Sequence, residues 1–239
     1  MQHDPDAVAI ADLTDTRESL HRLGEHVLAA ARYASDGRIG LKVVPGGIAT
    51  PPFGPEGRSA AVIGTDLIVS DAGGTHGQDV STLRHAATAL GIDAGGPSQV
   101  YRLSTPCDLD ALLPMTHQAA DQLAAWLNLA GAALRQFVDN HAGGDDRQAD
   151  RAVDEPPTIT LWPEHFDLGV VIGACNYGAS PGDAGRPEPY LYVGPHDAEA
   201  RHGTDTFWNE PYGAAVSWRD IPDIASAVAF FESGLAHLS

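Results

Sequence analysis

The stretch ITLWPEHFDLGVVIGACNYGASPGDAGRPEPYLYVGPH, residues 159–196, holds the densest mixture of strand-forming and chemically capable residues in the chain. Two segments within it, residues 164–173 and 188–195, alternate apolar and polar side chains with the period of a β-strand. Because successive side chains of a strand point to opposite faces of the sheet, each segment predicts a strand with one apolar face.

The alternation also predicts which side chains share a face. The apolar face carries Phe166, Leu168, Val170, Leu191 and Val193. The opposite face carries His165, Asp167, Tyr190 and Tyr192, with Asn176 and Ser180 from the segment between the strands. Neighbouring strands lie roughly 4.8 Å apart, so these polar groups are expected to meet.

A ligand site is the hypothesis that this polar face favours. Its predicted residues are His165, Asp167, Asn176, Tyr190, Tyr192 and the nearby Trp162. A solvent-exposed sheet face is the alternative, since His, Asp and Tyr are ordinary residues there. Two tyrosines and a tryptophan are unusual on a face that only contacts water, which favours the ligand site.

A divalent metal is a further hypothesis for the same region. The loop HDAEARHGTD, residues 196–205, is rich in nitrogen and oxygen ligands and follows the second strand. His165, Asp167 and His196 are the candidate metal ligands. The spacing matches no established zinc motif, so a solvated loop is the alternative.

The motif Gly178-Ala179-Ser180-Pro181-Gly182 matches the G-x-S-x-G pattern of a nucleophile elbow. That geometry needs a backbone N–H on the residue after the serine, and Pro181 has none. A tight turn is therefore the preferred interpretation.

Composition limits the classes of partner. The 239 residues include 32 acidic and 14 basic side chains, for a formal charge of −18. Such a chain repels phosphate backbones and anionic membranes, so we expect neither nucleic-acid nor membrane binding. The start lacks a signal-peptide pattern and no apolar run is long enough to span a membrane, which predicts a cytoplasmic protein. Cys107 and Cys175 form no motif and are expected to be reduced, with one disulfide as the alternative.

The remaining periodicities give a coarse order of elements. Helices are predicted over 15–34, 79–90, 116–140 and 222–237, and further strands over 38–44, 47–53, 58–63, 66–71 and 214–218. Residues 71–77 are predicted as a loop, and residues 143–155 as a solvated or disordered insert. His21 and His26, on the first helix, are predicted to be surface residues.

This order predicts an α+β fold, an antiparallel sheet with helices on one face, built from two related helix–strands–helix halves. The halves are residues 13–91 and 116–239, joined by a connector over 92–115. Setting Asp79 against Asp220 aligns the apolar positions of the helices that end the two halves, which favours an ancient duplication. The alternative is that any two amphipathic helices share such a stripe.

Three blocks of the second half carry a resemblance: WPEHFDLG (162–169), GASPGD (178–183) and EPYLYVGP (188–195). Together they resemble a block found in uncharacterised actinobacterial proteins. The resemblance implies a shared site in the second half, but no particular reaction.

Three functions follow as hypotheses. The first is a small-molecule-binding protein whose ligand lies on the polar and aromatic face of the second half. The second is a metal-assisted hydrolase or isomerase in which His165 and Asp167 hold the metal or act as acid and base. The third is a structural protein whose aromatic patch forms a homodimer interface.

Overall fold

The computed structural model describes residues 8–141, 157–197 and 206–238. Five α-helices lie within these residues: α1 Ile10–Leu23, α2 Ala29–Asp36, α3 Leu83–Leu90, α4 His117–His141 and α5 Ile224–Ala236. Ten strands lie among them: β1 Lys42–Val44, β2 Gly47–Ala49, β3 Ser59–Ile63, β4 Asp66–Asp71, β5 Gly74–Asp79, β6 Thr160–Trp162, β7 Asp167–Ile172, β8 Cys175–Ser180, β9 Tyr190–Pro195 and β10 Ala214–Ser217.

The strands form two five-stranded antiparallel sheets, β1 to β5 and β6 to β10, each paired in the order of the chain. Short turns make such meanders possible because each strand returns directly beside the one before it. Together with the helices, the two sheets confirm the predicted α+β class.

The two sheets meet edge to edge. Leu41, just before β1, and Leu161, in β6, exchange two backbone hydrogen bonds of 2.9 and 3.0 Å in an antiparallel bridge. Both leucines are buried, so the bridge lies within the hydrophobic core. Each half therefore has its own sheet, and one bridge joins them.

Helix α4 connects the halves, because it packs against β1 and β2 of the first sheet and β7 and β8 of the second. Its Phe137 lies 4.8 Å, between ring centroids, from Tyr177 of β8, and Phe231 of α5 completes this aromatic cluster. All three rings are buried. The core therefore lies between the helices and one face of the sheets, which leaves the other face of the second sheet for a site.

The predicted first helix is nearly correct at its end and wrong at its start. The helix ends at Asp36, two residues beyond the predicted end, where Gly37 adopts the left-handed conformation with a φ of 67°. The helix begins at Ile10, well before Asp15, because Leu13 already belongs to its buried face. Residues 24–28 between α1 and α2 widen into a single π-helical turn.

This π-helical turn buries two polar side chains, Glu25 and His26. The carboxylate of Glu25 accepts the backbone N–H groups of Ser104 and Thr105, each at 2.9 Å, and the Thr105 hydroxyl at 2.6 Å. His26 Nδ1 accepts the Gly96 N–H at 3.0 Å. The prediction that His26 is a surface residue is wrong: it fastens the connector to the first helix.

Strand β5 corrects a second prediction. Its sequence, GTHGQD, falls mostly within the predicted loop, yet it pairs with β4 along its whole length. The following helix starts at Leu83, where the Thr82 side chain caps it by accepting the His85 N–H. The predicted start at Asp79 is therefore four residues too early.

The two halves share one order of elements, a helix, a five-stranded meander and a helix. A duplication is not confirmed by this shared order and stays a prediction. The predicted insert over 143–155 lies outside the described residues. Among the described helices, none combines the length and the apolar character needed to cross a membrane.

Candidate functional site

The two faces of the second sheet divide as the alternation predicts. Leu168, Val170, Leu191 and Val193 are buried against the helices. Asp167, Asn176, Tyr190 and Tyr192 occupy the opposite register positions, on what we call the outer face. The strict alternation of the sequence is therefore kept across β7, β8 and β9.

Two glycines determine the position of Tyr192. Its β9 position pairs with Gly178 in β8, which in turn pairs with Gly169 in β7. A Cβ atom at Gly178 would lie 2.5 Å from both Cζ and the hydroxyl of Tyr192, closer than any side chain tolerates. The tyrosine ring therefore crosses the strand in the space that the missing side chain leaves, and its hydroxyl donates to Asp167.

Asp167 has only half of its carboxylate paired. Oδ2 accepts the Tyr192 hydroxyl, whereas Oδ1 is buried and has no hydrogen-bond partner among the described residues. Burial raises the pKa of Asp167, although the hydrogen bond from Tyr192 and the nearby His165 oppose the rise. An unpaired buried carboxylate oxygen is costly, so its presence in a folded protein needs an explanation, and a functional role is one.

His165 lies in the turn between β6 and β7, which corrects the prediction that the strand begins at Glu164. Phe166 ends this turn with a φ of 53°, a conformation that ends the alternation, and its N–H donates to the Trp162 carbonyl. The Phe166 ring is buried and stacks on His21 at 5.1 Å. His165 is exposed, so the turn presents the imidazole to solvent beside Asp167.

The first half and the connector hold this turn in place. His21 Nε2 lies 2.8 Å from the Pro163 carbonyl, and the Ser104 hydroxyl donates to the Glu164 carbonyl. Burial lowers the pKa of His21, so its imidazole stays neutral in the contact. His21 is thus a supporting residue of the site and not the surface residue that the sequence predicts.

A second carboxylate, Asp183, follows the turn after β8. It accepts the Tyr190 hydroxyl at 2.6 Å and the N–H groups of Gly185 and Arg186 at 2.6 and 2.9 Å. Burial opposes its charge, but these hydrogen bonds hold the pKa of Asp183 below its ordinary value. The guanidinium of Arg186 lies 5.2 Å from the Tyr190 ring centroid and forms an ion pair with Glu210.

These groups line one cavity of about 450 Å³, which we call the outer-face pocket. Its described lining is His165, Asp167, Asn176, Ser180, Asp183, Tyr190, Tyr192, Gly194, Pro195, His196 and Tyr212. Five of the six predicted ligand-binding residues lie in this lining. Trp162 does not: it pairs with Asp167 at the sheet edge and is 39% exposed, outside the pocket.

Among the lining residues with polar side chains, Asp183 and Tyr212 are the two that the sequence analysis missed. Both lie in loops, where no periodicity assigns a face. Asp183 had one usable signal, because the Ser-Pro-Gly-Asp turn directs the chain back over the end of β8.

The three predicted metal ligands, His165, Asp167 and His196, all line the pocket. The described residues nevertheless contain no group of three or more His, Cys, Asp or Glu side chains placed to hold a metal ion. The metal hypothesis therefore gains no support from the described lining. Residues 198–205 of the predicted ligand-rich loop lie outside the described residues.

A second cavity, of about 420 Å³, lies where the two sheets meet beside α4. Its lining includes Lys42, Arg135 and Asp139, which are exposed surface side chains. None of its lining residues carries a buried unpaired oxygen like Asp167 Oδ1 of the outer-face pocket. Cys107 and Cys175 are both free, and Cys175 is buried in the core.

No protein-family model, curated protein or solved structure matches this chain significantly. The resemblance to an actinobacterial block therefore stays a prediction, and the case for function depends on the geometry of the pocket.

Proposed function

We propose that this chain is a small-molecule-binding protein and that its ligand occupies the outer-face pocket. The observation that carries the proposal is the Oδ1 atom of Asp167, which is buried without a partner in the pocket wall. A bound ligand that donates a hydrogen bond would satisfy it after a small side-chain movement, and would remove a cost that the free protein bears.

The size and lining of the pocket support the proposal. Its volume of about 450 Å³ falls within the range of roughly 300–1,000 Å³ that small-molecule sites occupy. Aromatic rings, carboxylates, an amide and imidazoles converge there from β7, β8, β9 and the adjoining loops. Such a mixture of apolar surface and a few polar groups is typical of ligand sites.

The rigid position of the key side chains also supports binding. Tyr192 is fixed over Gly178, and Tyr190 is fixed by Asp183. Groups that are already held in place lose little conformational entropy when a ligand binds. The pocket is therefore preorganised on strands.

A thermal-shift screen of small polar compounds tests the proposal. We expect some ligand to stabilise the wild-type protein, and Asp167→Asn and Tyr190→Phe to weaken that effect while circular dichroism shows an intact fold. Asp121→Asn, which removes an exposed carboxylate on α4, is the matched control and should respond as wild type does. Ligands that stabilise all four proteins equally would place the binding site elsewhere.

A further inference from the structure

The phenol groups of the outer-face pocket present acceptors to a ligand. Tyr190 and Tyr192 each donate their single O–H to a carboxylate, Asp183 and Asp167 respectively. A phenol that has donated its proton retains a lone pair that accepts. The Ser180 side chain already hydrogen-bonds to Tyr190, so Tyr192 offers the less occupied of the two phenol oxygens. A ligand in this pocket is therefore favoured when it brings donors.

The charge of the described lining is also of one sign. It contains two carboxylates, Asp167 and Asp183, and no lysine or arginine among the described residues. Arg186, the nearest cation to the Tyr190 ring, is already paired with Glu210. Burial, followed by the hydrogen bond to Asp183 and then by the charge of Asp183, raises the pKa of Tyr190.

The aromatic rings add a third feature. The centroids of Tyr190 and Tyr192 lie 6.3 Å apart with their planes tilted by 56°, and Tyr212 lines the same pocket. The face of an aromatic ring attracts a cation, and tilted rings beside a carboxylate are a common way to bind an ammonium group. A neutral sugar would use the same acceptors and rings but would gain nothing from the charge.

Resting on the proposed function, we propose that the ligand of the outer-face pocket is a small organic cation. Its ammonium group lies against the Tyr190 and Tyr192 rings and pairs with Asp167 and Asp183. The apolar remainder of the ligand contacts the ring faces. The two carboxylates oppose an anion. The charge of Asp183 is already stabilised by its hydrogen bonds and by the charge of Arg17, so a cation contributes most beside Asp167, which a neutral ligand would leave without a cationic partner.

Matched probes separate charge from shape. Choline and 3,3-dimethyl-1-butanol have nearly the same shape and differ by one charge, as do n-butylammonium and 1-butanol. Titration calorimetry at pH 8 should show each cation binding at least tenfold more tightly than its neutral partner. Asp167→Asn and Asp183→Asn should each reduce this preference at least threefold, whereas Asp121→Asn should not change it. Raising sodium chloride from 20 to 500 mM should weaken cation binding and leave the alcohols unaffected.

The outcomes distinguish this inference from the proposed function. Equal affinity for cations and alcohols would overturn the cation assignment. Preferred binding of a neutral sugar such as methyl glucoside would do the same. In either case the pocket remains the binding site if Asp167→Asn weakens the binding. Cation binding that is unchanged in Asp167→Asn, Asp183→Asn and Tyr190→Phe overturns the cation assignment and the pocket together. If Asp167→Asn fails to fold, Asp183→Asn gives the same test of charge, and Tyr192→Phe tests whether the ligand lies in the pocket.

Discussion

Glu25 and Asp167 are both acidic residues with carboxylate oxygens that water does not reach, but their surroundings differ. Glu25 receives three hydrogen bonds of 2.6 to 2.9 Å from the connector. Asp167 receives one hydrogen bond from Tyr192 and keeps its other oxygen unpaired. The comparison shows that burial alone does not indicate function: the satisfied carboxylate holds the fold together, and the unsatisfied one is available to a ligand.

The largest expected effect is on the satisfied carboxylate. Glu25→Ala leaves the N–H group of Ser104 and the buried N–H and hydroxyl groups of Thr105 without their acceptor. It should lower the free energy of unfolding by roughly 3–5 kcal/mol. Urea denaturation at pH 7 measures the change. The exposed Glu56→Ala is the control and should stay within about 0.5 kcal/mol of wild type. A loss below about 1 kcal/mol in Glu25→Ala would remove the structural role.

The glycine under Tyr192 gives the next effect. Gly178→Ala places a methyl group 2.5 Å from the Tyr192 ring and 2.6 Å from the Leu168 carbonyl oxygen. We expect a loss of roughly 1–3 kcal/mol in unfolding free energy, as for other overpacked sites, together with weaker ligand binding as the ring moves from Asp167. Gly173→Ala is no suitable control, since Gly173 has a φ of 60°, a conformation that strains alanine.

Ala179→Gly in the same strand is preferable, because it changes the backbone without crowding the Tyr192 ring. Unchanged stability and binding in Gly178→Ala would show that Tyr192 does not need this space.

Histidines of the first half predict a dependence of stability on pH. Burial lowers the pKa of both His21 and His26 in the folded chain. As the pH falls, these histidines therefore take up protons in the unfolded chain before they do so in the folded chain. The free energy of unfolding is highest above about pH 6.5 and decreases as the pH falls toward 5. The loss can reach roughly 2 kcal/mol for each histidine at pH 5. Denaturation at pH 7 and pH 5 should show a smaller difference in His26→Gln than in wild type, and an equal difference would contradict the assignment.

The smallest effect on stability is expected at the site. Asp167→Asn removes a carboxylate whose pKa is raised by burial. The free energy of unfolding at pH 7 should therefore either increase or fall by less than about 1 kcal/mol. The sign follows because the folded protein loses stability as the pH rises through the raised pKa of such a carboxyl group. A neutral amide at this position avoids that loss. Denaturation of the variant beside Glu25→Ala is the direct comparison. A decrease of roughly 3 kcal/mol in the unfolding free energy of Asp167→Asn would show that Asp167, like Glu25, stabilises the fold, and would contradict the proposed difference between them.

The sequence predicts the sheet faces well because strict alternation is a local signal. Leu168, Leu191 and Tyr192 each lie on the predicted face, since one face of their strands is buried and register is then strongly specified. Strand β5 escaped prediction because its GTHGQD sequence has no apolar alternation and is held by hydrogen bonds to β4. Backbone hydrogen bonding of this kind cannot be recognised from the pattern of apolar and polar side chains.

Tertiary contacts explain the other misses. His26 is buried because a π-helical turn and the connector surround it, and neither is visible in helical periodicity. His165 lies in a turn because Phe166 adopts a positive φ to reach His21 in the first half. Tyr212 reaches the pocket from a loop, where the position of a side chain depends on the folded strands around it.

The most direct test of the central claim is a map of backbone amide chemical shifts in the isotope-labelled protein as a binding compound is added. The account predicts that the largest changes fall on Asp167, Gly178 and Tyr192, around the outer-face pocket. Changes centred instead on Lys42 and Arg135, which line the second cavity, would contradict it.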